Sequence, residues 1–180
     1  MNETENPLAL VLRAADFAAR AHAGQVRKGA VREPYIVHPI EVAGLVAQAG
    51  ADPEVVAAAF LHDVVEDCGV SLDELREAFG ERVAGIVAEV TDDKSLDKKR
   101  RKDLQIEHAA HASQDAQVVK LADKTSNVRA LKSSPPDWPP ERIAAYAAWA
   151  AQVVDPCRPA SAFLASSFDE AAEALLATAP

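Results

Sequence analysis

Apolar residues recur at helical spacing along almost the whole chain, and proline-bearing or polar breaks divide the pattern into segments. Leu8, Leu12, Ala15 and Ala19 predict a first helix from about Leu8 to His22. A loop follows, Ala23 to Val37, with Gly24, Gly29 and Pro34, where a small β-hairpin fits. His38-Pro39 opens a second helix that stops near Gly50, since proline is tolerated at the first helical position. Asp52-Pro53 opens a third with Asp52 as N-cap, running to about Glu66. Ser71 followed by Glu74 is a capping-box pattern for a fourth helix closed by Gly80, and a fifth covers Glu81 to Val90. After the turn Thr91 to Ser95, a charged helix runs to about His111 and another spans Gln114 to Lys132. Residues 133–140, with four prolines, form a loop; helix resumes over Glu141 to Val154 and over roughly Pro159 to Ala177, the last with a break near Ser166-Ser167. No sustained strand alternation and no repeat is present, so the pattern predicts an all-α bundle in one domain, residues 1–180.

Composition narrows this picture. The 180 residues are 49% hydrophobic and 26% charged, as in ordinary globular chains. The longest apolar run, Ile143 to Ala151, is nine residues, against the roughly 20 that span a bilayer. The start, MNETENP, has neither the basic end nor the apolar stretch of a signal peptide. A cytoplasmic protein without membrane contact is expected. The net charge of −9 argues against a broad nucleic-acid surface. Cys68 and Cys157 read as ordinary thiols. An acidic chain binds an anionic ligand only by clustering its cations or by holding a metal ion.

Phe60-Leu61-His62-Asp63-Val64-Val65-Glu66-Asp67 concentrates ionisable groups after an apolar helical run. His62 and Glu66 are four apart, as are Asp63 and Asp67, so a continuing helix would put them on neighbouring positions. Three carboxylates at a helix C-terminus are disfavoured by its dipole, and a divalent cation is the simplest compensation. A solvated acidic helix end with one core histidine also fits the octet. His38, in PYIVHP, lies at a helix start beside the cation-bearing loop, where a cap or a structural hydrogen bond is the alternative. Asp123, in VVKLADK, sits in an apolar helical stretch, where a buried carboxylate needs a metal or a salt bridge to a lysine.

The ordered set His38, His62-Asp63 and Asp123 resembles the signature of HD-domain metal-dependent phosphohydrolases. Two imidazoles and two carboxylates suit Mn²⁺, Fe²⁺ or Zn²⁺. GQVRKG (24–29), PYIVHP (34–39), FLHDVVED (60–67), EVTDDKS (89–95) and VVKLADKTSNVR (118–129) are similar to successive motifs of the RelA/SpoT hydrolase domain, and ERIAAYAAWAAQVV (141–154) to a late helix of its small stand-alone members. The likeness covers about residues 8–155 and leaves residues 159–177 as a C-terminal helix of unassigned role.

This resemblance implies an HD-domain helical bundle that removes pyrophosphate from the 3′ side of (p)ppGpp, yielding GDP or GTP. By the same likeness His38, His62, Asp63 and Asp123 hold the metal, usually Mn²⁺, although other divalent metals fit the donor set. Glu66 and Asp67 orient and deprotonate the attacking water. Arg27 and Lys28 lie beside the nucleotide, Lys94 contacts phosphate, Asn127 hydrogen-bonds the nucleoside, and Arg142 and Tyr146 approach the phosphates. Thr125-Ser126 departs from the pattern, standing where relatives usually carry a larger pair such as Leu-Tyr or Leu-His beside the expected nucleoside pocket. Lys98 to Lys102, with Lys94, sets six cations against Asp97; it reads as a solvated helix face for the most part, with some long-range attraction for a polyanion. The expected partner is a small-molecule nucleotide, with the chain a monomer or homodimer. Related chemistry, on the 2′-phosphate of NADPH or on deoxynucleotides, is the alternative; a non-catalytic nucleotide sensor would lack ligands or Glu66-Asp67, and all are present.

Overall fold

The computed structural model describes residues 6–177; the polar start discussed above, apart from Asn6 and Pro7, lies outside them. Ten α-helices follow in order: α1 Pro7–Ala21, α2 Val37–Gln48, α3 Pro53–Leu61, α4 Val64–Cys68, α5 Leu72–Phe79, α6 Glu81–Val90, α7 Lys98–Ala109, α8 Gln114–Ser133, α9 Pro140–Val154 and α10 Ala162–Leu176. A 3-10 helix, Asp155–Ala160, joins α9 to α10. No helix of the described residues is long and apolar enough to cross a membrane.

Helix α8 is the central element, packing against α2, α6, α9 and α10, while α1 lies on α3. Its apolar residues Val119, Leu121, Ala122 and Val128 are fully buried, and Leu164 and Phe168 of α10 are among the large side chains closing the core. Each such Leu or Phe contributes about 1.5–3 kcal/mol relative to leaving it exposed. The caps are local: Ser71 and Glu74 complete the expected capping box of α5. Asp97 accepts from Lys99 and Arg100 at the start of α7, and Ser113 accepts from Ala116 at the start of α8. Asp52 stands at the N-cap of α3 but makes no capping bond; its carboxylate goes to Arg82 instead, at 2.9 Å.

Three expectations change. The third helix does not continue to Glu66: it ends at Leu61, His62 and Asp63 form a turn, and α4 starts at Val64. Asp63 adopts φ −104° and ψ −7°, outside the regular helix, and His62 Nδ1 donates to the Ala59 carbonyl (2.7 Å), one of the acceptors a helix end leaves open. Glu66 and Asp67 thus lie in the first turn of α4, where a helix dipole favours carboxylates, and the penalty argued from a single helix disappears. The hairpin shrinks to one antiparallel bridge, Val26 with Pro34, because Pro34 has no N–H to extend a ladder. Helix α10 runs unbroken through Ser166-Ser167; Leu164, Phe168, Ala171 and Leu175 keep one buried face against the core.

The loop between α1 and α2 is pinned to the end of α8. Val31 N–H donates to Ser134 Oγ at 3.2 Å, and a Cβ on Gly29 would meet the Ser134 carbonyl at 2.5 Å. Only glycine permits that approach, which brings Arg27 over the polar side of α8.

Candidate active site

Four residues from three segments converge. His38 comes from the first turn of α2, His62 and Asp63 from the turn between α3 and α4, and Asp123 from the middle of α8. The Nε2 atoms of His38 and His62 are 3.2 Å apart. Asp63 Oδ2 lies 3.1 Å from His62 Nε2 and 3.6 Å from His38 Nε2, and Asp123 Oδ1 lies 3.3 Å and 4.0 Å from His38 and His62 Nε2. Of these, His38, His62 and Asp123 present ligand atoms within 4.8 Å of one another.

The outer hydrogen bonds fix the tautomers. Ser126 Oγ donates to Glu41 Oε2 (2.7 Å), so at His38 Nδ1 (2.9 Å) it accepts, and the proton of that ring sits on Nδ1. His62 Nδ1 faces a carbonyl, which only accepts, so its proton sits there too. Both Nε2 lone pairs are therefore turned towards each other and towards two carboxylates. Lone pairs and anions converge this way around a proton or a cation, and the donor set of two imidazoles and two carboxylates fits a divalent metal.

The electrostatics follow from the same crowding. Burial lowers the pKa of His38. Burial also opposes protonation of His62, but Asp63 and Asp123 outweigh it and raise its pKa to about 9. Burial would raise both carboxyls, yet His62 and His38 hold Asp63 far below the usual range, and Lys124 with the two imidazoles does the same for Asp123. Tyr35 donates its hydroxyl to Asp63 Oδ2 at 2.6 Å. Burial and the nearby carboxylates push its pKa up strongly, so it stays a donor.

These residues line a cavity of about 160 Å³ together with Glu66, Asp67, Lys120, Lys124 and Asn127. Glu66 is raised above its ordinary pKa by burial and by Asp92, Asp63 and Asp67. Arg101 Nη1 stands 3.7 Å from Glu66 Oε1, and Lys94 forms an ion pair with Asp67. Asn127 donates to Asp123 Oδ1 and accepts from Arg27 Nη2 at 2.9 Å, so the expected nucleoside contact is tied to a metal-binding candidate. Lys124 donates to Asp123 Oδ2 at 2.8 Å, so the expected salt bridge to a lysine forms, while Asp123 Oδ1 is turned towards His38. Tyr146 packs between Trp138 and Trp149 and is not among the residues lining the cavity, its pKa pushed up to about 12 by burial against the opposing pull of Lys124. Arg142 is exposed and lies over the Trp138 ring, 4.0 Å from its centroid. Lys28 is exposed and lines no part of the cavity.

Sequence reasoning missed Tyr35, Glu41, Ser126 and the cavity role of Lys120. Glu41 follows His38 by three residues, a spacing that shares a helix face, and the sequence marks Ser126 only as a departure beside the expected nucleoside pocket. The structure turns Ser126 towards His38 instead. In the basic run, Lys98, Lys99 and Arg100 are exposed, whereas Arg101 and Lys102 turn inward. Lys102 lies over Trp149, 4.4 Å from its centroid.

Comparison with known proteins identifies the family. The HD domain family model matches residues 14–153. The chain is 46% identical over 164 residues to guanosine-3′,5′-bis(diphosphate) 3′-pyrophosphohydrolase MESH1 of Xenopus tropicalis, covering 89% of this chain and 92% of that protein. It is 51% identical over 149 residues to the Homo sapiens enzyme of the same name, covering 81% and 83%. A solved structure described as a metazoan orthologue of SpoT that hydrolyses ppGpp superposes with a TM-score of 0.86 at 43% identity, covering 91% of this chain and 93% of that one. With most of its length matched and the histidine–aspartate cluster formed, the chain belongs to the HD-domain family.

Proposed function

We propose that this protein is a metal-dependent hydrolase that removes the 3′-pyrophosphate of (p)ppGpp. The observation that carries the reading is the convergence of His38, His62, Asp63 and Asp123 beside Glu66 and Asp67 in one cavity, in a chain whose relatives carry that activity in their names. The four residues would hold Mn²⁺, which when bound lowers the pKa of water and neutralises phosphate charge. A water oxygen bonds to the phosphorus next to the ribose 3′ oxygen, and the bond from phosphorus to that oxygen breaks. Water supplies the proton that ends on the 3′ hydroxyl, so the products are GDP or GTP and pyrophosphate. Glu66, half-buried and with a raised pKa, takes the water's proton, and Asp67 orients the water. Arg27 and Asn127 exchange their mutual hydrogen bond for contacts to the nucleoside. Lys28, Lys94, Arg142 and Tyr146 meet the phosphates from the rim.

The test is direct. Purified protein with Mn²⁺ is incubated separately with ppGpp, GTP, dGTP and NADPH, and products are resolved by anion exchange. The expected result is GDP and pyrophosphate in equal amounts from ppGpp, abolished by chelation. Turnover of dGTP or NADPH with ppGpp left intact would overturn the assignment.

A further inference from the structure

Two lysines line the cavity, and they differ in one respect. Lys124 is neutralised by Asp123, one residue before it. Lys120 is 6% exposed, yet among the described residues its ammonium makes no hydrogen bond, ion pair or ring contact. Nearby charges act on it only from a distance: Lys124 repels it while Asp92 and Asp123 attract it. The other cations at this site face a partner through at least one nitrogen: Lys94 pairs with Asp67, Arg27 bonds Asn127, and Arg101 Nη1 stands 3.7 Å from Glu66, although Arg101 Nε is buried without a hydrogen bond. Lys120 Nζ is not fully cut off from solvent, which it meets only through the cavity, and an anionic ligand there would supply the partner that the protein does not.

A second unmatched group lies in the same cavity. Gln105 donates through Nε2 to Asp92, which fixes the amide orientation, and its Oε1 is buried without a partner. An unmatched donor and an unmatched acceptor in one cavity mark space for a polar ligand. Position says which part of the ligand comes here. Lys120 precedes Asp123 by three residues on α8, one helical turn on the same face, so a group held by Lys120 lies next to the Asp123 carboxylate.

We propose that Lys120, with Gln105 beside it, is the subsite for the phosphoryl group undergoing cleavage, and that after reaction it holds the departing pyrophosphate. The proposal rests on the reading of the protein as a nucleotide pyrophosphohydrolase for the identity of the nucleotide, and on the cavity alone for the anion. The ammonium meets a phosphate oxygen as a point charge. Gln105 Oε1 accepts from the attacking water or from a protonated phosphate oxygen.

Lys120→Met keeps the stem and removes the charge. With the full chain loaded with Mn²⁺, dissociation constants for inorganic phosphate and for GDP are measured by calorimetry, beside Tm and ppGpp turnover. Inorganic phosphate stands for the cleaved side, and GDP reports the 5′ side alone. The variant should bind phosphate on the order of tenfold to a hundredfold more weakly and GDP within about twofold of wild type. Its Tm without phosphate should be equal or higher, because an unpaired charge has left the interior. Lys120→Arg, which keeps the charge, should retain part of the phosphate affinity.

Unchanged phosphate affinity in Lys120→Met, or no phosphate binding by wild type, overturns the subsite. A large fall in Tm, or failure to fold, also overturns it, since Lys120 would then be a structural counter-charge for Asp92 and Asp123. Equal weakening of GDP overturns the assignment to the cleaved side. If wild type leaves ppGpp intact while the phosphate and Tm results come out as expected, the nucleotide reading fails and the phosphate subsite stands.

Discussion

Helices α7 and α8 follow one another in the chain and carry similar numbers of cations, five against four. They use them in opposite ways. Most of α7 faces water: Lys98, Lys99 and Arg100 are exposed, and Arg100 pairs with Glu107 on the surface. Helix α8 is covered on nearly every side, and its Lys120, Lys124, Thr125 and Ser126 are buried among valines, leucines and alanines. A charge on α7 costs almost nothing to keep, so it says little about function. A charge in α8 must be matched or wasted, and the way each is matched reveals the site. Lys124 balances Asp123, and Ser126 carries Glu41 to His38. Charge density is thus a poorer guide than charge set in an apolar background.

The largest effects should come from carboxylates at the centre. Glu66→Gln keeps shape and loses basicity, and general-base catalysis is typically worth about 10²–10⁴-fold. The variant should therefore bind Mn²⁺ and ppGpp while kcat falls by roughly that factor. Asp123→Asn should lose metal affinity as well, because it removes charge from the ligand set and from the partner of Lys124. Titration of Mn²⁺ into both variants separates them, and near wild-type turnover by Glu66→Gln would remove the base from its role.

Ser126 extends the contrast outward. Ser126→Ala deprives His38 Nδ1 of its acceptor and Glu41 of a donor, while the helix itself keeps a good former. Partners of this kind are typically worth about 10–100-fold in metal affinity. Competition against a chelator should show that loss with Tm of the metal-free protein nearly unchanged. An unaltered metal constant would mean the ring needs no such anchor.

Titration gives a smaller, signed effect. The metal-free pKa of His62 is raised to about 9, from an ordinary value of about 6.5. A group raised on folding stabilises fully below its unfolded pKa, and that stability is lost as pH rises through the folded value. Metal-free protein should therefore lose Tm between about pH 6.5 and 9. Mn²⁺ must displace the shared proton, so its affinity rises over the same window. Thermal melts at several pH values with and without Mn²⁺ test this; parallel curves would place the proton elsewhere.

Much of the fold is legible in the sequence. The helical order follows from apolar spacing and from prolines and glycines; Asp123 stands out as a carboxylate in an apolar stretch and His62-Asp63 as crowded ionisable groups after one, while His38 joins them only through the resemblance to the HD-domain signature. What periodicity could not convey was local backbone and side-chain aim. The turn at His62-Asp63 changes two residues' dihedral angles without interrupting the apolar pattern. The 3-10 helix at Asp155–Ala160, with Pro156 and Pro159, has no sustained period to detect. Glu41 and Ser126 are 85 residues apart, so their bond belongs to tertiary packing alone. Lys120 lies inside the motif VVKLADK, but that no carboxylate among the described residues pairs with it directly is visible only once α8 is buried.

The smallest expected effect tests the α7 side of the comparison. Lys99→Gln with Arg100→Gln removes two exposed charges and one surface pair, of a kind worth about 0–1 kcal/mol. Tm should barely move. The two positions act on a polyanion only at a distance, and the Debye length is about 8 Å at physiological salt. kcat/KM for ppGpp should therefore fall by less than about threefold there, and by more as salt is lowered. Arg101→Gln is the contrasting variant, since Arg101 reaches Glu66, and its effect should persist at high salt. If the double variant costs more than Arg101→Gln at high salt, the line between the solvated face and the site runs through α7 at a different residue.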